Sequence, residues 1–196
     1  VKHFAFLTLL FVAGYIVSCS QEPRLPKVTQ ISNEKVLTDN GIVIQLPNQP
    51  GIGGSTVFLV RHADKILDDS PNPSLSGDGV IRAAKLDSLL RDVELAGVFA
   101  SSTNRAMETA KPVADRHGLT IYNYDPEKPG PVFPMIFEFE KGKKFLVIGH
   151  SNTMPEFIHE MVGDTTEYKI NEKVYDDFFV LTANERYKGQ AYGLKY

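Results

Sequence analysis

The run Val57-Phe58-Leu59-Val60 passes directly into Arg61-His62-Ala63-Asp64, and this junction decides the fold. Four consecutive apolar residues, two of them β-branched, read as a strand buried on both faces, as strands of parallel sheets are. A polar cluster just past such a strand's C-terminal end is what the ligand-binding edge of an open α/β sheet presents. Two more junctions repeat the pattern. GVFA (97–100) leads into Ser101 to Arg105, and FLVIG (145–149) leads into His150-Ser151-Asn152.

Helical periods fill the intervals. Residues 77–91 carry Val80, Ala83, Leu86 and Leu90 along one face, with Ser76 as N-cap. Residues 104–117 align Ala106, Ala110, Val113 and His117, and Gly118 suits the left-handed position that ends a helix. Pro112 predicts a kink or an edge within that helix. TIYNY (120–124) reads as a third strand in this series. A helix is expected over 154–162 behind the capping box Thr153-Met154-Pro155-Glu156. FFVLT (178–182) and AYGLKY (191–196) read as closing strands joined through Ala183-Asn184-Glu185. Upstream, Asp39-Asn40-Gly41 predicts a hairpin turn within 36–46, and 47–55 reads as a Gly/Pro loop. Strand–helix alternation of this kind implies a three-layer α/β/α fold with a largely parallel sheet.

The chain has 196 residues, which fits one domain with appendages. With 42% hydrophobic and 23% charged residues it sits near the globular norm, which excludes disordered and collagen-like readings. A single cysteine excludes an intrachain disulfide and any CxxC metal or redox site. A net charge of −3 gives no footprint for nucleic acid. Residues 4–17 are apolar apart from Thr8 and follow Lys2. They fall short of the roughly 20 residues of a membrane-spanning helix and read as a secretory signal. Ile16-Val17-Ser18-Cys19 resembles a bacterial lipobox. The expected organisation is a signal peptide over 1–18, a lipidated Cys19 with its tether over 19–35, and a domain over 36–196. The expected location is the bacterial cell envelope, with the protein held on the membrane by its lipid.

Two arginines and two histidines converging on one sheet edge make an anion site. A neutral imidazole is nucleophilic at neutral pH, and guanidinium groups match phosphate oxygens bidentately. Donors of this kind stabilise the charge spread over a transferring phosphoryl group. The remaining histidines have structural readings. His3 lies in the signal stretch, His117 suits a helix C-terminus, and His159-Glu160 lacks the second histidine of a zinc motif. Gly51-Ile52-Gly53-Gly54 precedes a strand instead of following one, so it reads as a loop and not as a nucleotide cradle. Asp68-Asp69 and Glu138/Glu140 read as solvated faces, and Phe133, Phe137 and Phe139 as core.

With those residues in place, the chain resembles the histidine phosphatase superfamily, of phosphoglycerate-mutase-like fold. VFLVRHADK matches the family's RHG/RHA segment, and PSLSGDGVIRAAKL its "LS..G..RA..L" helix. SSTNRAMETA matches the segment with its second arginine, and VIGHSNTMPEFI the one with its second histidine. The four occur in the family's order across residues 57–160. The resemblance implies that His62 is the phosphorylated nucleophile and that Arg61, Arg105 and His150 bind the phosphate. It gives Ser101 and Asn152 supporting contacts, and implies no metal and no cofactor.

The departure from the family concerns the general acid. Its usual glutamate motif is absent, which leaves Asp125, Glu127 and Asp64 as candidates, with transfer through substrate or water as a further route. Asp125 is favoured because it ends the third strand. Only about 20 residues separate Asp125 from Phe145, which predicts a shallow, open site suited to exposed phosphate groups. The resulting expectation is a metal-independent phosphomonoesterase acting through a phosphohistidine on a small phosphorylated substrate or phosphoglycan of the envelope. The alternative is an envelope lipoprotein that binds phosphate or phosphoglycan without turnover.

Overall fold

Strand β4 (Ser55–Arg61) is buried along its whole length and runs through the middle of a six-stranded sheet. The computed structural model describes residues 24–47, 54–166 and 168–196. The expected signal sequence, Cys19 and most of the glycine loop lie outside the described residues, as does the side chain of Phe139. Three small strands come first: β1 (Val28–Ile31), β2 (Lys35–Thr38) and β3 (Val43–Gln45). After β4 come α1 (Gly77–Leu90), β5 (Leu95–Ala100), α2 (Asn104–His117) and β6 (Ile121–Asn123). A short turn, α3 (Val132–Pro134), continues as a π-helical turn over Met135–Phe139. Then follow β7 (Lys144–Gly149), α4 (Met154–Val162), β8 (Asp177–Glu185) and β9 (Lys188–Lys195).

The large sheet has the order β6-β5-β7-β4-β8-β9. The first four strands are mutually parallel, β8 runs antiparallel to β4, and β9 antiparallel to β8. The side-chain alternation of a strand explains the unbroken apolar run at its centre. Phe58 and Val60 pack with Leu86 and Leu90 of α1 and Ala110 and Val113 of α2. Val57 and Leu59 pack with Phe157 and Met161 of α4 and Phe133 and Ile136 of the short helical segment. Both faces are therefore covered by helices, as the strand sequence predicts. Truncating Phe58 or Leu59 to alanine removes about 2–5 kcal/mol of packing.

Local signals set most boundaries. The Ser76 side chain caps α1 by accepting from the Gly79 N–H at 3.1 Å. Gly118 ends α2 in the left-handed conformation, φ 64°, with its N–H on the carbonyls of Ala114 and Asp115. α2 runs on through Pro112 instead of stopping there, without one backbone hydrogen bond. Phe133 is buried and Phe137 packs beside it, at 6.4 Å between ring centroids.

Four expectations are corrected. Residues 28–31 form strand β1 and bury Val28 and Ile31, so the folded part reaches into the stretch read as a tether. Val80 is 59% exposed, because the buried face of α1 runs through Gly79, Ala83, Leu86 and Leu90. The capping box at Thr153 does not form. Thr153 is itself helical, and its hydroxyl donates to the His150 carbonyl. The β8–β9 turn falls at Arg186-Tyr187 and not at Ala183–Glu185. Tyr187, φ 64°, is pinned there by its N–H on the Met161 carbonyl and its hydroxyl on Glu160.

Candidate active site

The sheet order brings the three polar junctions together. β7 lies between β5 and β4, so His150 stands between Ser101 and Arg61 at the C-terminal edge of the parallel strands. The loop after β4 is held from two sides. The His62 N–H donates to the carbonyl of Gly149, the last residue of β7, at 3.1 Å. The Ala63 N–H donates to Thr109 Oγ1 at 2.9 Å, and that hydroxyl donates onward to the Arg105 carbonyl at 2.6 Å. One buried threonine thus joins the loop after His62 to the helix that carries Arg105.

His62 is 3% exposed, and two partners fix its tautomer. Nδ1 faces the Ala63 carbonyl at 2.9 Å, which only accepts, so the proton sits on Nδ1. Nε2 faces Arg105 Nε at 3.2 Å, which only donates, so the lone pair sits on Nε2. Burial lowers the pKa of His62 to about 3. The bond to Ala63 opposes that shift, and His150, Arg61 and Arg105 reinforce it. His150 stands 5.2 Å away between ring centroids, edge-on, and shares a 2.8 Å hydrogen bond with Ser101 Oγ. Its pKa is lowered to about 4, by burial first and then by Arg105 and Arg61. Both rings are therefore neutral at pH 7. Burial and the neighbouring Arg61 also hold the Arg105 pKa below its ordinary value.

Arg61 is used in an unexpected way. It is 4% exposed, and its Nη1 donates to the carbonyls of Asn171 (3.2 Å), Glu172 (2.7 Å) and Val174 (2.9 Å). Its guanidinium carbon lies 4.2 Å from the Tyr175 ring centroid, a cation–π stack. The same tyrosine lies 5.8 Å from the His62 ring. The Nε of Arg61 is buried with no partner among the described residues, a donor left over for an anion.

A cavity of about 390 Å³ opens over this cluster, lined by Arg61, His62, Arg105, His150, Ser151 and Asn152, with Lys65, Leu67, Glu172, Lys173 and Tyr175 completing it. A second cavity of about 520 Å³ shares Lys65, Leu67 and Tyr175 with it and extends along Leu75 to the start of α1. Of the expected residues, Arg61, His62, Arg105, His150 and Asn152 meet in the first cavity. Ser101 does not line it; it is buried behind His150 and holds that ring. Asp64 lines the second cavity and pairs with Arg82 at 2.6 Å. Asp125 is exposed and accepts the Glu127 N–H at 3.0 Å, closing a turn. It lies two residues past β6, which is three strand spacings from β4, about 14 Å across the sheet. Neither Asp125 nor Glu127 reaches the cavity wall. A third cavity, about 430 Å³, lies at the opposite strand ends among Glu94, Leu95, Lys143 and Lys144, away from both histidines.

Sequence reading missed Tyr175, Glu172, Lys173 and Lys65. The first three precede β8, and the antiparallel register that pairs Phe178 with Val60 carries them across the end of β4. Had FFVLT been aligned antiparallel to VFLV, residues 171–176 would have fallen at this edge.

A family model described as the histidine phosphatase superfamily (branch 1) matches residues 57–127. An uncharacterized protein of Mycobacterium tuberculosis strain H37Rv is 35% identical over 71 residues, 33% of this chain and 35% of that protein. The match thus spans about a third of that relative's length. Among solved structures, the protein histidine phosphatase SixA complexed with tungstate aligns with a TM-score of 0.60 at 19% identity, over 71% of this chain and 96% of that one. The mycobacterial glucosyl-3-phosphoglycerate phosphatase aligns at 0.52 and 9%, over 72% and 99%. The alpha-ribazole phosphatase of Shigella flexneri aligns at 0.53 and 13%, over 72% and 96%. At these identities the structural likeness is one of fold, the phosphoglycerate-mutase-like α/β/α arrangement.

Proposed function

We propose that the chain, whose residues 57–127 match the histidine phosphatase superfamily, is a phosphomonoesterase working through a phosphohistidine. One observation supports this reading above the others. The Nε2 lone pair of His62 is presented beside Arg105, with Arg61 and His150 around the same cavity. A phosphate entering there meets the unpartnered Nε of Arg61 and displaces Arg105 Nε from His62 onto its own oxygens. Nε2 then forms a bond to phosphorus as the ester P–O bond breaks, and the leaving oxygen departs with a proton. In the second step water forms the new P–O bond, the N–P bond breaks, and inorganic phosphate is released. The Nδ1–H bond to Ala63 keeps the imidazole oriented and disperses the charge it acquires as a phosphohistidine.

The adjoining second cavity leaves room for the non-phosphate part of a substrate, in keeping with an exposed phosphate on a small molecule or an envelope glycan. The apolar stretch 4–17 and the lipobox-like Ile16-Val17-Ser18-Cys19 support export and a lipid anchor on the bacterial cell envelope. Replacing Cys19 with serine should then shift the protein from the membrane to the soluble fraction.

The test of the activity is hydrolysis of a chromogenic phosphomonoester with a chelator present, comparing wild type with His62→Ala. The expected outcome is turnover by wild type alone, with acid-labile phosphate trapped on His62. The engagement of Asp64 and Asp125 elsewhere favours one other reading, a phosphate-binding lipoprotein without turnover. That reading stands if wild type binds phosphate but hydrolyses nothing.

A further inference from the structure

The site has an imidazole for attack and cations for the phosphate, yet both carboxylates favoured for proton transfer are occupied elsewhere. Asp64 is held by Arg82, and Asp125 closes a turn at the sheet's far edge. Among the residues lining the cavity over His62, Glu172 is the single acidic one. Its carboxylate makes no hydrogen bond or ion pair with another described residue, although its backbone is firmly held.

That backbone is held by Arg61. The strap 171–176 crosses the end of β4 because β8 starts antiparallel to it, with Phe178 opposite Val60. Three strap carbonyls accept from Arg61 Nη1, and the strap turns back on itself through the Val174 N–H to the Asn171 carbonyl at 3.0 Å. The Lys173 N–H on Asn171 Oδ1 at 2.9 Å tightens the same turn. Hydrogen bonds from a buried cation to carbonyls are stronger than neutral ones. Tyr175 stacks on the guanidinium. One arginine therefore serves two ends: it sits at the phosphate site, and it fixes the turn that carries Glu172.

We propose that Glu172 is the proton donor and acceptor of this reaction, an inference that rests on the phosphohistidine reading above. In the first step its carboxyl proton passes to the leaving oxygen as the P–O bond breaks and the His62 Nε2–P bond forms. In the second, its carboxylate takes a proton from water as the new O–P bond forms and the N–P bond breaks. The carboxyl is thereby restored, and atoms and protons balance over the cycle.

The test is a comparison of two esters that differ in their need for a proton. 2,4-Dinitrophenyl phosphate releases a stable anion without protonation, whereas ethyl phosphate must release a protonated alkoxide. Glu172→Gln should lose about 10²- to 10⁴-fold in kcat/KM on ethyl phosphate and less than about threefold on the dinitrophenyl ester. Glu172→Asp should recover part of the loss. The side chain is exposed and Arg61 binds only the backbone, so the thermal midpoint should stay within a few degrees of wild type. Equal losses on both esters, or no loss on ethyl phosphate, overturn the assignment. So does a selective loss on ethyl phosphate in Asp64→Asn or Asp125→Asn with Glu172→Gln unchanged. A wild type inert on both esters overturns the phosphatase reading, and this inference with it.

Discussion

Arg105 Nε donates to His62 Nε2 across 3.2 Å, so the imidazole nitrogen proposed as the nucleophile is covered by a neighbouring cation. On the proposed function, the guanidinium moves from the lone pair to the oxygens of a bound phosphate. Removing it should leave a free nucleophile but a poor anion site. Arg105→Ala is expected to lower kcat by about 10²- to 10³-fold, the range for losing one donor to developing charge. It should also weaken inhibition by vanadate in parallel. Arg105→Lys keeps the charge but not the planar fork, so it should recover only part of the loss. Unchanged vanadate inhibition in Arg105→Ala would remove this residue from the phosphate site.

Acid should destabilise the fold through the two site histidines. Both are buried, and both have folded pKa values below the ordinary 6.5, about 3 for His62 and about 4 for His150. Between pH 6.5 and those values the unfolded chain binds more protons than the folded one, so stability rises with pH across that window and is complete above it. Each pH unit inside the window costs up to about 1.4 kcal/mol per histidine. Urea unfolding at pH 4.5 and pH 7 should show the loss in wild type and a smaller loss in His150→Gln. Ring signals of both histidines should also stay in the neutral form at pH 5.5 by NMR. Titration of either near 6.5 would contradict the burial assigned to them.

Ser101 acts on His150 and not on the ligand. Its hydroxyl is buried, shares a 2.8 Å bond with the imidazole Nε2, and is backed by Thr103 Oγ1 at 3.1 Å. Ser101→Ala should leave a buried ring nitrogen without its partner, at a cost of about 1–3 kcal/mol in unfolding free energy. The ring would lose its orientation, so kcat/KM should fall about tenfold with little change in the pH dependence of activity. A Ser101→Ala variant of full activity and stability would mean that packing alone positions His150.

The parallel half of the fold was legible because its signals are local. Buried strands show as apolar runs, and α1 and α2 carry their own caps in Ser76 and Gly118. The cluster of Arg61, His62, Arg105 and His150 followed from the same logic, since strand ends of a parallel sheet share one edge. What stayed hidden depends on partners distant in sequence. VTQI (28–31) is a strand only because 35–38 pairs with it. The turn at Arg186-Tyr187 is set by Glu160 and Met161 of α4. Asp125 follows a strand at this edge, two residues past its end, but β6 is the outermost strand there, and sharing an edge is not sharing a site. The strap 171–176 has no periodicity of its own, and its place comes from the register of β8.

Two glycines at the start of α1 make opposite predictions from one substitution. An alanine normally stabilises a helix interior relative to glycine by about 1 kcal/mol. At Gly77 the added methyl would meet open space, so Gly77→Ala should be neutral or slightly stabilising. At Gly79 the same methyl would fall 2.0 Å from the Asp64 carbonyl oxygen and 3.1 Å from Leu75 Cβ. Backbone cannot swing aside as a flexible side chain does, so α1 would have to move away from the loop after His62. That loop is tied to α1 through the Ser76 N–H on the same Asp64 oxygen at 2.9 Å, so the strain reaches His62. Overpacking of this kind costs about 1–3 kcal/mol or more and outweighs the propensity gain. Gly79→Ala should therefore lower both the unfolding free energy and kcat/KM, while Gly77→Ala leaves both intact. Equal behaviour of the two variants would mean that α1 and the His62 loop are not in the close contact on which the geometry of this site depends.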